Sequence, residues 1–319
     1  MTRQIALPWS SRLTSQLGYG CAFWPGMTEQ QIARLLAAAY DAGIRHFDVA
    51  PFYLDGAAER FLGDFLKLRP DATVTTKYGL LPPSARPLHI QVARALLGPT
   101  VRRVRKMMRG RTTAPDSGGV TAKASFRSED ARQSLENSLR LLGRSHVEMF
   151  LMHEADASDL ERDGLLDLLR SEVQAGRIGA FGIGGAAERA RQVHLRKPEF
   201  CDVVQYDWDF VSDGPRINDA FEILFWVLTR DLKGLHGKFL RDAALATRWS
   251  DATGVDLTSL HDLSGVLLAG ALSENPRGMT LVYSSNEEHI LANVAAADSG
   301  RHQRAAIEFK KLLTADGPP

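Results

Sequence analysis

The sequence predicts an α/β protein whose strands close into a single-domain (β/α)8 TIM barrel spanning residues 1–319. Three observations predict it. Eight short apolar runs recur along the chain: Leu17–Cys21, Arg45–Ala50, Thr73–Lys77, Val147–Met152, Ile178–Ile183, Asp202–Tyr206, Ile223–Leu228 and Thr280–Tyr283. Several are apolar almost throughout rather than at alternate positions, as strands covered on both faces are. Between them lie helical patterns, so helix and strand alternate as in a parallel sheet, and 319 residues suffice for a barrel of this kind.

The elements are justified in order. Thr28 and Gln31 form a capping-box pair ahead of an Ile32/Leu35/Leu36/Ala39 stripe, and Gly43 closes that helix. A second helix starts with Ser128 as its N-cap, carries Leu135, Leu139 and Leu142 on one face, and stops at Gly143. A third runs from Leu160 to Ala175, with Gly176 as its stop. Residues 82–125 break the rhythm and read as an extended insertion after the third strand. The stretch holds PPSARP, VRRVRKMMRGR (Val101–Arg111) and APDSGG. From Arg86 to Lys123, nine basic residues stand against one acidic residue, Asp116. Such a loop leaves the barrel on its ligand-binding face, where long loops are functional or mobile.

Composition removes several function classes. A formal net charge of +1 gives no overall field to attract nucleic acid or an anionic membrane; the 101–111 basic run alone speaks for nucleic acid. Cys21 and Cys201 are far apart and form no CxxC, so neither a zinc site nor a disulfide framework is expected. No apolar stretch reaches the roughly 18 residues of a membrane span, and Met1–Ser15 lacks an apolar signal core. The expectation is a cytoplasmic protein with neither nucleic-acid nor membrane partners and no metal, its oligomeric state left open.

The strongest local signal is GIRHFDVAPFYLDGAAERFLGDFL, Gly43–Leu66. With VTTK ending at Lys77, FLMH ending at His153 and the helix SLENSLRLLG (134–143), it resembles the aldo-keto reductase pattern over most of the chain. APFY and TKYG resemble the aldose and galactose dehydrogenase branch of that family. The resemblance implies a barrel that transfers hydride between a nicotinamide cofactor and a carbonyl compound or sugar, with Asp48, Tyr53, Lys77 and His153 as the catalytic set. The roles follow from their chemistry. Tyr53 is a proton donor at neutral pH, because a free phenol titrates near 10. Lys77 is expected to lower that pKa and Asp48 to hold the ammonium in place. His153 is expected to hydrogen-bond and orient the substrate oxygen. His46 shares a strand face with Asp48 and reads as a hydrogen-bonded core histidine.

No GxGxxG occurs at a strand-to-helix turn, so the Rossmann fingerprint is absent. The resemblance implies that NADP or NAD binds at the barrel mouth instead. Gly20 lies at the end of the first strand, and Gln205 matches the glutamine that contacts the nicotinamide carboxamide. Where the family reads Gly-x-Ser-Asn, this chain reads Gly182-Ile183-Gly184-Gly185, leaving only backbone groups for the carboxamide. Gly234, Gly237 and Lys238 are implied near the pyrophosphate, and Trp226 is a candidate for the aromatic that stacks on the nicotinamide. Ser284, Glu288 and Asn293 fit the adenosine-binding turn. Tyr283 stands where a 2′-phosphate would call for a lysine, which leaves the choice between NADP and NAD open.

The leading reading is therefore an NAD(P)-dependent enzyme acting on an aldehyde, ketone or sugar. The basic segment motivates an anionic substrate. The alternative is a regulatory or binding barrel with little or no turnover, which the glycines at 184 and 185 favour.

Overall fold

The computed structural model describes residues 2–22, 24, 26–81, 122–211, 214, 216–217, 219–228 and 232–317. The basic segment 86–111, and with it most of the insertion expected over 82–125, lies outside the described residues.

A hairpin of β1 (Gln4–Ala6) and β2 (Leu13–Ser15) opens the chain. Eight strands follow: β3 (Leu17–Gly20), β4 (His46–Asp48), β5 (Thr73–Tyr78), β6 (Val147–His153), β7 (Ile178–Gly185), β8 (Val203–Asp207), β9 (Phe221–Phe225) and β10 (Met279–Val282). They pair in parallel in sequence order, and β10 returns to β3, closing the barrel. Around it lie α1 (Glu29–Asp41), α2 (Ala58–Leu66), α3 (Ser128–Leu142), α4 (Leu165–Gln174), α5 (Ala187–Arg196), α6 (Leu232–Arg241), α7 (Ala243–Thr253), α8 (Leu260–Glu274), α9 (Glu287–Ala297) and α10 (Gly300–Asp316). None of the described helices is long and apolar enough to cross a membrane.

The capping box of α1 forms in both directions between Thr28 and Gln31, and the predicted stripe is its buried face. Three local expectations change. The N-cap position of α3 is Arg127, not Ser128, and it has no side-chain cap; Ser125 accepts from the Arg127 N–H instead, at 3.3 Å. The helix expected from Leu160 splits into a 3-10 turn, Asp159–Glu161, and α4, because Gly164 adopts φ +73 between them. The seventh barrel strand is β9, ending at Phe225 rather than Leu228, because Trp226 turns to φ +61.

Two apolar cores result. One fills the space between strands and helices. The other lines the barrel interior with alternate strand residues such as Met149, Leu151, Ala180 and Ile223. Ile5, Leu7 and Trp9 of the opening hairpin pack onto this interior core, and Trp9 meets Phe221 edge-on at 5.2 Å. His46 lies inside the barrel, fully buried, its ring nitrogens bonded to Thr73 and Thr75 at 2.9 and 3.0 Å. Burial, with Lys77 adding, lowers its pKa to about 3.

Two expectations follow. A Cβ at Gly63 would overlap the Leu141 carbonyl where α2 crosses α3, whereas one at Gly234 in α6 would meet nothing within 4 Å. Gly63→Ala should therefore cost about 1–3 kcal/mol in denaturant unfolding, and Gly234→Ala should be neutral or stabilising by up to about 1 kcal/mol. Because His46 binds its proton more weakly folded than unfolded, its contribution to stability is complete above pH 6.5 and is lost as pH falls towards 3. Within that window the slope is about 1.4 kcal/mol per pH unit. Unfolding free energies at several acidic pH values should show that slope reduced in His46→Gln.

Candidate active site

Strand alternation brings polar side chains to the C-terminal rim of the barrel from three adjacent strands and from one on the opposite side. β4 ends at Asp48, β5 carries Lys77, β6 ends at His153 and β8 carries Gln205. Lys77 is 1% exposed and Asp48 fully buried, and the Lys77 Nζ donates to Asp48 Oδ1 at 2.6 Å. The same ammonium reaches the Val49 carbonyl at 3.2 Å and the Tyr53 hydroxyl at 3.4 Å. Gln205 Nε2 donates to the other Asp48 oxygen at 2.7 Å. Asp48 thus ties β4 to β5 and, across the barrel, to β8. Tyr53 opens a 3-10 turn after β4, and its ring meets the His153 ring edge-on at 6.4 Å. Phe52 packs against His153 from the same side, at 5.4 Å. The four residues expected to act together are therefore neighbours, as is Gln205.

The electrostatics correct one expectation. Lys77 was expected to lower the Tyr53 pKa, but the phenol is pushed well above its ordinary range. Burial is the main cause, and the negative charges of Asp48 and Glu154 add to it. Asp48 screens the ammonium's pull, so the phenol keeps its proton throughout the neutral range. Burial also lowers Lys77, with Asp48 opposing that shift. His153 is held well below the usual histidine range by burial and by Lys77, and its ring is neutral.

The rest of the rim is aromatic. Phe225 at the end of β9 and Tyr283 just after β10 pack onto the interior core. The Tyr283 ring covers Gly20, where any Cβ would overlap it. Sequence reading proposed Trp226 as the aromatic at this mouth. Trp226 follows the end of β9 and meets Phe225 edge-on at 5.3 Å, while Phe225 and Tyr283 extend the interior stripe. A count in steps of two from Met279 through Leu281 would have found Tyr283.

The glycines at 184 and 185 each leave room for a neighbour. A Cβ on Gly184 would come within 3.2 Å of Gln205 Oε1, and one on Gly185 within 3.2 Å of the Glu154 carboxylate. Sequence reading had not singled out Glu154 for any role. The other residues implied for a cofactor lie on two neighbouring loops and their helices. Gly234 is in the first turn of α6, Lys238 one turn further, and both are exposed. Ser284 follows β10 and its hydroxyl accepts from the Asn286 N–H at 3.0 Å; Asn286 in turn caps α9. Glu288 is exposed and Asn293 half-buried on α9.

Backbone strain gathers here as well. Among the described residues, the non-glycine positions at positive φ are Leu54, Phe126, Glu154 and Trp226. Three follow Tyr53, His153 and Phe225 directly, and Phe126 packs on Tyr78 at the end of β5, with ring centroids 5.5 Å apart. Such conformations cost about 1–3 kcal/mol each and cluster where function requires a fixed geometry. Among the described residues, no group of three His, Cys, Asp or Glu side chains could hold a metal ion.

The chain is similar to known proteins in sequence and in fold. The chain is 28% identical over 197 residues to a D-threo-aldose 1-dehydrogenase of Pseudomonas sp., covering 57% of this chain and 54% of that protein. It is 29% identical over 174 residues to a pyridoxal 4-dehydrogenase of Microbacterium luteolum, covering 47% and 44%. The alignments thus span about half the length of these curated relatives. An aldo-keto reductase from Klebsiella pneumoniae, solved in complex with NADPH, superimposes with a TM-score of 0.64 at 18% identity, covering 100% of this chain and 97% of that one; at that identity the likeness concerns the fold. The model of the aldo/keto reductase family matches residues 16–217, well over half of the sequence, and the chain belongs to that family.

Proposed function

We propose that the protein is an oxidoreductase that transfers hydride between NADP or NAD and an aldehyde, ketone or sugar, with Tyr53 as general acid and base. The observation that carries this reading is the Lys77 ammonium 3.4 Å from the Tyr53 hydroxyl and 2.6 Å from Asp48. The dehydrogenases and the NADPH-bound neighbour described above support the same class of reaction.

The rim fits a nicotinamide dinucleotide. Its aromatic side, Phe225 and Tyr283 over Gly20, suits a flat ring, and its polar side offers the Gln205 amide to a carboxamide. The open first turn of α6 at Gly234 and the cation of Lys238 suit a pyrophosphate, and the cap of α9 suits the adenosine end. When bound, the reduced nicotinamide supplies the hydride. In reduction, Tyr53 gives its proton to the carbonyl oxygen as negative charge develops there. The tyrosinate left behind faces the Lys77 ammonium, which Asp48 keeps charged, and solvent later returns the proton. The neutral His153 ring hydrogen-bonds the substrate oxygen and aligns it with Tyr53. Oxidation runs the same steps backwards and starts from the tyrosinate.

Tyr53→Phe should lower kcat for a panel of aldehydes by about 10²–10⁴-fold while leaving NADPH or NADH binding, followed by fluorescence quenching, unchanged. Tight cofactor binding with no turnover of any aldehyde or sugar by the unaltered protein would favour the regulatory alternative. The direction of the Tyr53 shift fixes the sign of the pH dependence. Reduction should be insensitive to the phenol from roughly pH 6 to pH 9, and oxidation should keep rising with pH across that range. Initial rates in both directions test this, and an oxidation rate that levels off near neutrality would contradict it.

A further inference from the structure

Glu154 is unusual in three ways that share a location. It follows His153 at φ +56, a left-handed conformation held by a 2.7 Å bond from its N–H to the Gly184 carbonyl. Its carboxylate occupies the space above β7 that Gly185 leaves open, 3.2 Å from where a side chain there would begin. Its side chain keeps 29% of its surface exposed although Arg189 pairs with Oε2. Arg189 is itself braced by Asp156 at 2.9 Å, and Asp156 by Lys123 at 2.5 Å. Among the described residues, none donates a hydrogen bond to Oε1. A carboxylate paired through Oε2 with Arg189, and still partly exposed, thus stands directly after the histidine proposed to orient the substrate. Its charge bears on the Tyr53 phenol, which places it within electrostatic reach of the reacting group.

An ionised carboxylate only accepts hydrogen bonds, so its partners are donors, and it repels anions. Neutral carbonyl compounds that carry hydroxyl groups meet both conditions. We propose that Glu154 determines specificity: its carboxylate accepts hydrogen bonds from substrate hydroxyls, so the site prefers polyhydroxylated aldehydes and sugars to plain or anionic ones. This rests on the oxidoreductase reading and narrows its substrate class. It also accounts for Gly185, since any side chain at that position would press on the carboxylate.

The test compares D-glyceraldehyde with propanal, which has the same carbon skeleton without hydroxyls, and with succinic semialdehyde as an anionic aldehyde. The enzymes are the unaltered protein, Glu154→Gln and Glu154→Ala, each at saturating cofactor. Glu154→Ala should lower kcat/KM for D-glyceraldehyde by about 10–100-fold, mainly through KM. Propanal should change less than about twofold and succinic semialdehyde should improve. Glu154→Gln keeps an acceptor without the charge and should fall between the two for D-glyceraldehyde. Equal losses for D-glyceraldehyde and propanal, or no loss for either, would overturn the assignment. Turnover of none of the three aldehydes by the unaltered protein would overturn this inference, whereas the oxidoreductase reading fails only if no aldehyde or sugar of the wider panel is turned over.

Discussion

The molecule is organised around one buried ion pair, Lys77 with Asp48. An unpaired ammonium in a barrel interior would cost several kcal/mol, or would lose its proton. The 2.6 Å contact keeps Lys77 charged, and Gln205 and the Val49 carbonyl satisfy the remaining valences of the pair. The pair joins the adjacent strands β4 and β5, and the bond from Gln205 of β8 completes it only when the barrel has closed in the correct register. Register fixes chemistry here: a one-residue slip of β5 would turn Lys77 to the other face of the sheet.

The pair also explains why Tyr53 keeps its proton. A lone lysine would pull the phenol down, but with its charge balanced by Asp48 burial sets the direction. The resting site is then an acid, and the ammonium matters most once the phenol has given up its proton and a negative charge faces it. The four strained residues stand around this centre. Their cost is modest beside the energy of a barrel core, and three of them directly follow Tyr53, His153 and Phe225.

How much of this could be read beforehand differs from part to part. Seven of the eight barrel strands were legible within a residue or two because parallel strands buried on both faces leave runs such as VEMFLM. The seventh strand was misplaced because the apolar run continues through Trp226 and Val227, where the backbone has already turned. The β1–β2 hairpin was missed because three-residue strands carry no measurable period. Asp48, Tyr53, Lys77 and His153 stand out in the sequence through the family resemblance of the motifs that carry them, but the direction of the Tyr53 shift does not, since it depends on burial. Gly184 and Gly185 looked like losses in the sequence. In space each makes room for a longer side chain, Gln205 or Glu154, that belongs to another strand or loop.

The dependence of Tyr53 on Lys77 is tested most directly by a double-mutant cycle on the single-turnover rate of hydride transfer, using Tyr53→Phe, Lys77→Met and the combined variant. If the ammonium works only by stabilising the tyrosinate, removing it from a protein that already lacks the phenol costs nothing further, and the combined variant is no slower than Tyr53→Phe. Losses that multiply would mean that the two side chains act independently, and the account built on their contact would be wrong.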